Sequence, residues 1–196
     1  MSIIVSDHRH PDHPVDPLFV HRWSPRAMSG EAIKDEQLMM MLEAARWSPS
    51  SYNEQPWRFL YARRGTAHFD HFFHCLMEAN QAWCKTAAVL LCVISKKTFT
   101  KNSQPNGVHT FDAGAAWQSF ALQGAALGLV VHAMAGFDHE RARKTLHVPD
   151  DFKTEAMIAV GRPAPASVLP ENLRGMETPS PRKPIREWAF EGPFPG

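Results

Sequence analysis

The sequence predicts an α+β fold, helices alternating with strands, and three observations carry that prediction. The run Ala87-Ala88-Val89-Leu90-Leu91-Cys92-Val93-Ile94 contains no charged or amide side chain, the pattern of a fully buried strand. Trp57, Phe59 and Tyr61 alternate with Arg58, Leu60 and Ala62, the two-residue period of another strand, which ends before Gly65. Ile33, Leu38, Met41, Leu42 and Ala45 fall near one stripe of a helix over 31–46, with Ser29 placed to cap it.

The remaining elements follow in order. Residues 66–80 read as a helix through Phe69, Phe72, Phe73, Leu76 and Met77. Lys96, Lys97, Lys101, Asn102, Pro105, Asn106 and Gly107 mark 96–110 as a mobile loop. A helix over 111–127 is slender, built on Ala113, Gly114, Ala115, Ala116, Ala121, Gly124, Ala125 and Ala126. Interior glycines cost a helix about 1 kcal/mol each against alanine, so close approach of another backbone is expected there, at the domain centre or a subunit contact. Gly128 ends this helix, Val130 to Met134 form a strand, and Gly136 breaks it. Asp138 caps a short helix that stops before Pro149, and Ala156 to Val160 form the last strand.

From Pro163 onward the chain changes character, with eight of its sixteen prolines in the last 34 residues. Leu169, Leu173, Ile185, Trp188, Phe190 and Phe194 are too many large apolar groups for a solvated tail. Burial around a second subunit accounts for them. The organisation expected is a flexible N-terminal segment (1–16), one domain (17–162) and a C-terminal extension (163–196) wrapping a partner subunit.

A net charge of +1 gives no broad attraction to nucleic acid or anionic membrane, and an eight-residue apolar run cannot span a bilayer. Asp7, Asp12 and Asp16 among histidines and prolines leave no room for the apolar core of a secretory signal. Three cysteines without CxxC spacing read as reduced thiols, and the expected location is cytoplasmic. Cys92, on the apolar strand, is most simply a small core residue.

Two segments carry chemistry. In Ser48-Pro49-Ser50-Ser51-Tyr52-Asn53-Glu54-Gln55-Pro56-Trp57, Pro49 ends the first long helix and Pro56 favours extended geometry at Gln55. Between them lie short donors and acceptors on constrained backbone, suited to a flat ligand with a polar edge. Upstream, Arg22-Trp23-Ser24-Pro25-Arg26 sets two guanidinium groups around a hydroxyl, and the planar fork of arginine suits phosphate.

In this order and separation the two segments resemble those of the FMN-dependent nitroreductase family. Three more segments extend the likeness over roughly residues 17 to 194: Asn80-Gln81-Ala82-Trp83, Met134-Ala135-Gly136-Phe137-Asp138, and Pro181-Arg182-Lys183-Pro184. The resemblance implies a nitroreductase-like fold, with a central mixed β-sheet flanked by helices and a C-terminal tail exchanged across a homodimer holding two FMN sites. Arg22 and Arg182, with Lys183 as second candidate, would neutralise the phosphate; Ser24 and Arg26, beside Trp23, would contact the phosphate-ribityl side or the pyrimidine edge. Pro49, Ser50 and Ser51 would approach the ring from the other subunit, and Asn53 would bond its polar edge. Asn80 and Met134 belong to the matching segments, and the backbone N–H of Ala135 or Gly136 would point at flavin N5.

The implied activity is oxidoreduction with NADH or NADPH as co-substrate. Electron-poor small-molecule acceptors, nitroaromatics or quinones, would be reduced by a ping-pong mechanism with no catalytic side chain, since the chemistry belongs to the flavin. The alternatives are a specialised reaction on the same fold (reductive dehalogenation or flavin fragmentation) and a non-catalytic FMN-binding module. Two departures stand out. Relatives often carry an acidic residue where Ala135 stands, and the chain is short between strand 87–94 and helix 111–127, where the family places an extra helical lid. Other features have plainer readings: His8, His10 and His13 with Asp12, and His68, His71 and His74, are expected on the surface rather than on a metal. Cys84 and His132 are not expected to pair as nucleophile and base, and Gly124 to Gly128 does not form a GxGxxG fingerprint.

Overall fold

Alternation in the two central strands sets the layering of the computed structural model, which describes residues 5–195. Residues 1–4 of the N-terminal segment and Gly196 of the extension lie outside the described residues. Strands β1 (Trp57–Arg63), β2 (Val89–Lys96), β3 (Val130–Met134) and β4 (Phe152–Gly161) form one sheet in the order β1-β2-β4-β3. Val89, Leu91 and Val93 of β2 face one hydrophobic cluster, while Leu90, Cys92 and Ile94 face the other. β4 divides in the same way, Ile158 and Val160 against Met157 and Ala159. A strand covered on both faces needs apolar residues at every position, which is why the 87–94 run shows no alternation.

Among the described residues seven α-helices accompany the sheet: α1 (Pro17–His21), α2 (Asp35–Arg46), α3 (Ala67–Phe73), α4 (Glu78–Cys84), α5 (His109–Ala126), α6 (His139–Thr145) and α7 (Glu171–Arg174). Leu38 and Met41 of α2 and Phe120 of α5 fill one side of the sheet. Phe69 and Phe72 of α3, with Trp83 of α4, fill the other.

Several elements differ from the sequence reading. All three strand pairings are antiparallel, so the sheet expected to be mixed is antiparallel among the described residues. The helix expected from residue 31 begins at Asp35 behind an N-cap at Lys34, and the Ser29 hydroxyl accepts the Glu31 N–H instead of capping it. The expected 66–80 helix is two, because Leu76 leaves the helix to bridge Phe137 and the Met77 N–H donates to the Gly136 carbonyl. β4 starts four residues early, with a bulge at Glu155 that aims this carboxylate at Ser95. The loop expected to be mobile is tied down: Thr98 bridges Pro105, and the Thr98 hydroxyl donates to Asp151 at 2.9 Å.

The slender helix lies at the domain centre. A Cβ on Gly124 would strike Val131 Cγ2 of β3 and stand 2.7 Å from Met41 Cε of α2. Absence of a side chain there lets α5 approach both the sheet and α2.

Candidate cofactor site

A group of guanidinium side chains dominates one region of the molecule. Arg22, at the end of α1, is half-buried and donates from Nη1 to Ser24 Oγ at 3.3 Å. Burial first, then repulsion from Arg182, holds its pKa below the ordinary arginine value. Arg9 joins them: burial, then Arg182 and Arg22, lower its pKa likewise. None of the three forms an ion pair among the described residues. Three like charges held together without a carboxylate fit an anion, and the planar fork of each fits a phosphate.

The Ser24–Arg26 loop beside this cluster is braced from behind. Glu177, only 4% exposed, accepts the Arg26 N–H with both carboxylate oxygens at 2.8 and 3.0 Å and the Ala27 N–H at 2.7 Å. His132 of β3 donates from Nδ1 to the Pro25 carbonyl at 3.0 Å, its ring 4.7 Å from that of Trp83. Burial pushes the His132 pKa down to about 4, so it stays neutral at pH 7. Trp23, Ser24 and Arg26 are all partly exposed beside Arg22.

The second region is the loop after α2. Ser48 is buried, its hydroxyl bonded to Ser119 Oγ at 2.8 Å and to the Ala115 carbonyl of α5. The Ser51 N–H donates to Asp112 Oδ2 at 3.1 Å, and the Gln55 N–H donates to Ser50 Oγ at 3.0 Å. Tyr52, Asn53 and Gln55 have φ of 50°, 56° and 50°, the left-handed region that non-glycine residues seldom enter. Gln55 is therefore not extended before Pro56 as the sequence suggests; capture of its N–H by Ser50 folds it inward. Pro49 and Asn53 are exposed, and Asn53 accepts the Gln55 side-chain amide at its carbonyl and Oδ1.

Through Tyr52 and Glu54 this loop meets the 97–108 segment. Glu54 accepts the Thr100 N–H at 2.9 Å and its hydroxyl at 2.5 Å, and the Tyr52 and Phe99 rings meet edge-on at 5.8 Å. The Thr100 bonds hold the Glu54 carboxylate below its ordinary pKa.

The third region is the turn after β3. Asn80 of α4 donates its amide to the Gly136 carbonyl at 2.8 Å, and a Cβ on Gly136 would stand 2.7 Å from that amide nitrogen. Glycine and asparagine are thus matched. The Gly136 N–H has no acceptor among the described residues, a donor free for a ligand. Ala135 is exposed, whereas Met134 is buried with its sulfur accepting from Cys84 Sγ at 3.5 Å.

The structure bonds Arg22 to Ser24, links the Arg22 carbonyl through Arg9 to Ser180 in the segment that carries Arg182, and joins Asn80 to Gly136. It sets the Pro49–Asn53 loop apart on α5. Arg182 folds onto its own segment, donating to the Ser180 carbonyl and hydroxyl, and Lys183 is exposed. Cys84 and His132 are each engaged elsewhere, and burial raises the Cys84 thiol far above the range in which a thiolate forms. Among the described residues, no three His, Cys, Asp or Glu side chains gather as a metal would require. The sequence reading missed Arg9, Glu177 and Asp112. A lone acid near the start of an apolar helix face was the one available signal, and it pointed to Asp112.

The model of the Nitroreductase family matches residues 20–68 and 62–162, which include the first arginine cluster, the Ser-rich loop and the Gly136 turn. The chain belongs to the nitroreductase family. A solved structure described as an oxidoreductase containing FMN is 46% identical, with a TM-score of 0.92 and 96% of each chain covered. A provisionally named nitroreductase from Desulfovibrio desulfuricans, solved in complex with FMN, is 29% identical with a TM-score of 0.72, over 94% of this chain and 100% of that one. A Streptomyces coelicolor protein provisionally named NADH dehydrogenase/NAD(P)H nitroreductase is 27% identical over 81% of this chain and 90% of its own. The nitroreductase-like fold of this chain is the one those structures share.

Proposed function

We propose that the protein is an NAD(P)H-dependent FMN oxidoreductase. One observation carries the reading: Arg22, bonded to Ser24, and the segment of Arg182, 160 positions further on in a family member, are joined through Arg9, and none of these arginines is ion-paired among the described residues. That donor set fits the phosphate of FMN. When bound, FMN accepts hydride from the nicotinamide and passes electrons to an acceptor. This chain's residues bind, orient and exclude water. Arg22 and Arg182 hold the dianion, with Lys183 as reserve. Ser24 and Arg26 meet the ribityl side or pyrimidine edge, and Asn53 meets the polar edge. The free Gly136 N–H, fixed by Asn80, donates towards N5, an oriented dipole that favours developing negative charge without a titrating side chain.

The functional unit is a homodimer. Up to Ser180 the extension packs on its own chain, through Leu169, Glu177 and the Ser180 carbonyl; beyond it Ile185, Trp188, Phe190 and Phe194 are exposed, Phe194 at 84%. An apolar tail of this kind is suited to a partner surface, and the Pro49–Ser51 loop would then serve the partner's flavin. The acceptors are electron-poor small molecules, nitroaromatics or quinones, reduced by a ping-pong mechanism. Three free, buried thiols suit a reducing cytoplasm, and no described helix is long and apolar enough to cross a membrane. The deciding experiment is the visible spectrum of the purified protein and its bleaching by NADH and by NADPH. A flavin spectrum bleached by either supports the assignment; a colourless protein that takes up no FMN refutes it.

A further inference from the structure

We infer that Arg9 is a positioning residue of the phosphate site, tying the backbone that carries Arg22 to the segment that carries Arg182. The inference rests on reading the arginine cluster as an FMN phosphate site. Arg9 Nη1 donates to the carbonyls of Val20 and Arg22, both at 2.8 Å, and Nε donates to the carbonyl of Ser180 at 3.0 Å. One planar side chain thus bonds three carbonyls in two segments, 11 to 13 residues away on one side and 171 on the other.

An ammonium group could not do the same. The guanidinium fork directs its donors along fixed, divergent lines, whereas lysine offers a single nitrogen. Nη2 has no acceptor among the described residues, so Arg9 also leaves N–H donors and its whole charge in the cluster. Placing a third cation there adds repulsion to the burial that already lowers the Arg22 and Arg9 pKa values. Such an arrangement is reasonable where an anion neutralises it, and wasteful on an ordinary surface.

Arg9 also lies before residue 20, where the family match begins, so the family's shared pattern does not account for it. The N-terminal segment instead closes over α1 and reaches the C-terminal extension. Its proline-rich stretch, Pro11 to Pro17, then leads into α1, whose first turn Asp16 caps.

The test titrates FMN and riboflavin separately into the flavin-stripped protein, as wild type, Arg9→Ala, Arg9→Lys and Arg22→Ala, with a melting curve for each. Arg9→Ala should raise the FMN Kd about tenfold or more, the scale of one charge-assisted bond, and leave the riboflavin Kd within about twofold. Arg9→Lys, which keeps the charge and is the milder change should the alanine variant not fold, should still weaken FMN severalfold. Equal weakening of FMN and riboflavin would mean a merely structural role and overturn the inference. So would a lysine variant that binds FMN like wild type, since charge alone would then suffice. If Arg22→Ala weakens FMN but Arg9→Ala does not, the inference fails while the phosphate reading survives. If Arg22→Ala also leaves FMN binding unchanged, the phosphate reading itself falls.

Discussion

Replacing Glu177 by Gln tests whether the C-terminal extension builds the Arg22–Arg26 loop from within the same chain. The Glu177 carboxylate is buried and accepts two backbone N–H groups through three contacts of 2.7 to 3.0 Å, with no cation paired to it among the described residues. The glutamine side chain keeps the shape, and its one oxygen at the Oε1 position can still accept both N–H groups, but it removes the charge and turns an NH₂ group towards the Arg26 N–H. A hydrogen bond to a charged group contributes about 1.5–3 kcal/mol, against about 0.5–1.5 kcal/mol for a neutral one. Both N–H groups lose that difference, so about 2 kcal/mol is the expected loss. For a chain of this size each kcal/mol lowers the melting temperature by about 2–4 °C, giving a fall of about 4–8 °C. Thermal unfolding followed by circular dichroism on the flavin-stripped protein measures it. FMN titration of the same sample should show weaker binding, because the Arg26 amide, held by one neutral oxygen, fixes the loop that follows Arg22 less firmly. A glutamine variant melting within about 1 °C of wild type would refute the argument that these three contacts hold the loop.

Three further outcomes are expected. His132 resists protonation until about pH 4, whereas the unfolded imidazole takes a proton near its ordinary value of 6.5; its contribution is therefore intact above pH 6.5 and lost as pH falls towards 4, about 2 kcal/mol by pH 5. Urea titrations of wild type and His132→Gln at pH 7.5 and 5 check this, since only the wild type should show that share of the acid loss. Gly124→Ala should destabilise by about 1–2 kcal/mol despite alanine's better helix propensity, because the stiff Val131 side chain must yield; a variant more stable than wild type in a melting curve would show that α5 can shift. Deleting residues from Pro184 onward should abolish dimerisation and FMN retention together, read by light scattering beside flavin absorbance, and a truncated monomer with full FMN would sink the interface-site model.

The fold was legible where one physical demand ruled the sequence. A strand covered on both faces left no alternative to the apolar run of β2, and Asp138 caps α6 as its position suggests, accepting the Arg141 N–H at 2.9 Å. Legibility failed where tertiary contacts outweighed local pattern. Phe69 to Met77 have helical spacing throughout, but hydrogen bonds from Met77 and Asn80 to the Gly136 turn break the helix. The candidate site divides similarly. Arginine and serine motifs are visible because they stand close together in sequence. Their supports are not: Glu177 is 150 residues from Ala27, and Arg9 sits among histidines and prolines that give it no distinguishing spacing.

The same distinction bears on why the Ser50–Gln55 loop has its shape. A non-glycine residue in the left-handed region costs about 1–2 kcal/mol, and this loop holds three such residues among four positions. Side-chain burial does not explain the cost, since Tyr52 is 93% exposed and Asn53 is exposed as well. The strain survives because four restraints act on it: Ser50 on Gln55, Asp112 on Ser51, the Gln55 side chain on Asn53, and Glu54 on Thr100. Two of those restraints are carboxylates, one buried in α5 and one reaching the 97–108 loop, so the loop is held at both ends from outside itself. Strain that a protein maintains with external bonds, and that buries nothing, is suited to presenting groups to a ligand. The donors left without an acceptor among the described residues are the Ser50 N–H and the Asn53 side-chain NH₂, on the residues proposed to meet the flavin ring. Replacing Asp112 by Asn should therefore relax the loop and reduce flavin affinity without touching the arginine cluster. Because the ring rather than the phosphate loses its contacts, titrations should show FMN and riboflavin weakened by the same factor, and a loss confined to FMN would contradict this account of the loop.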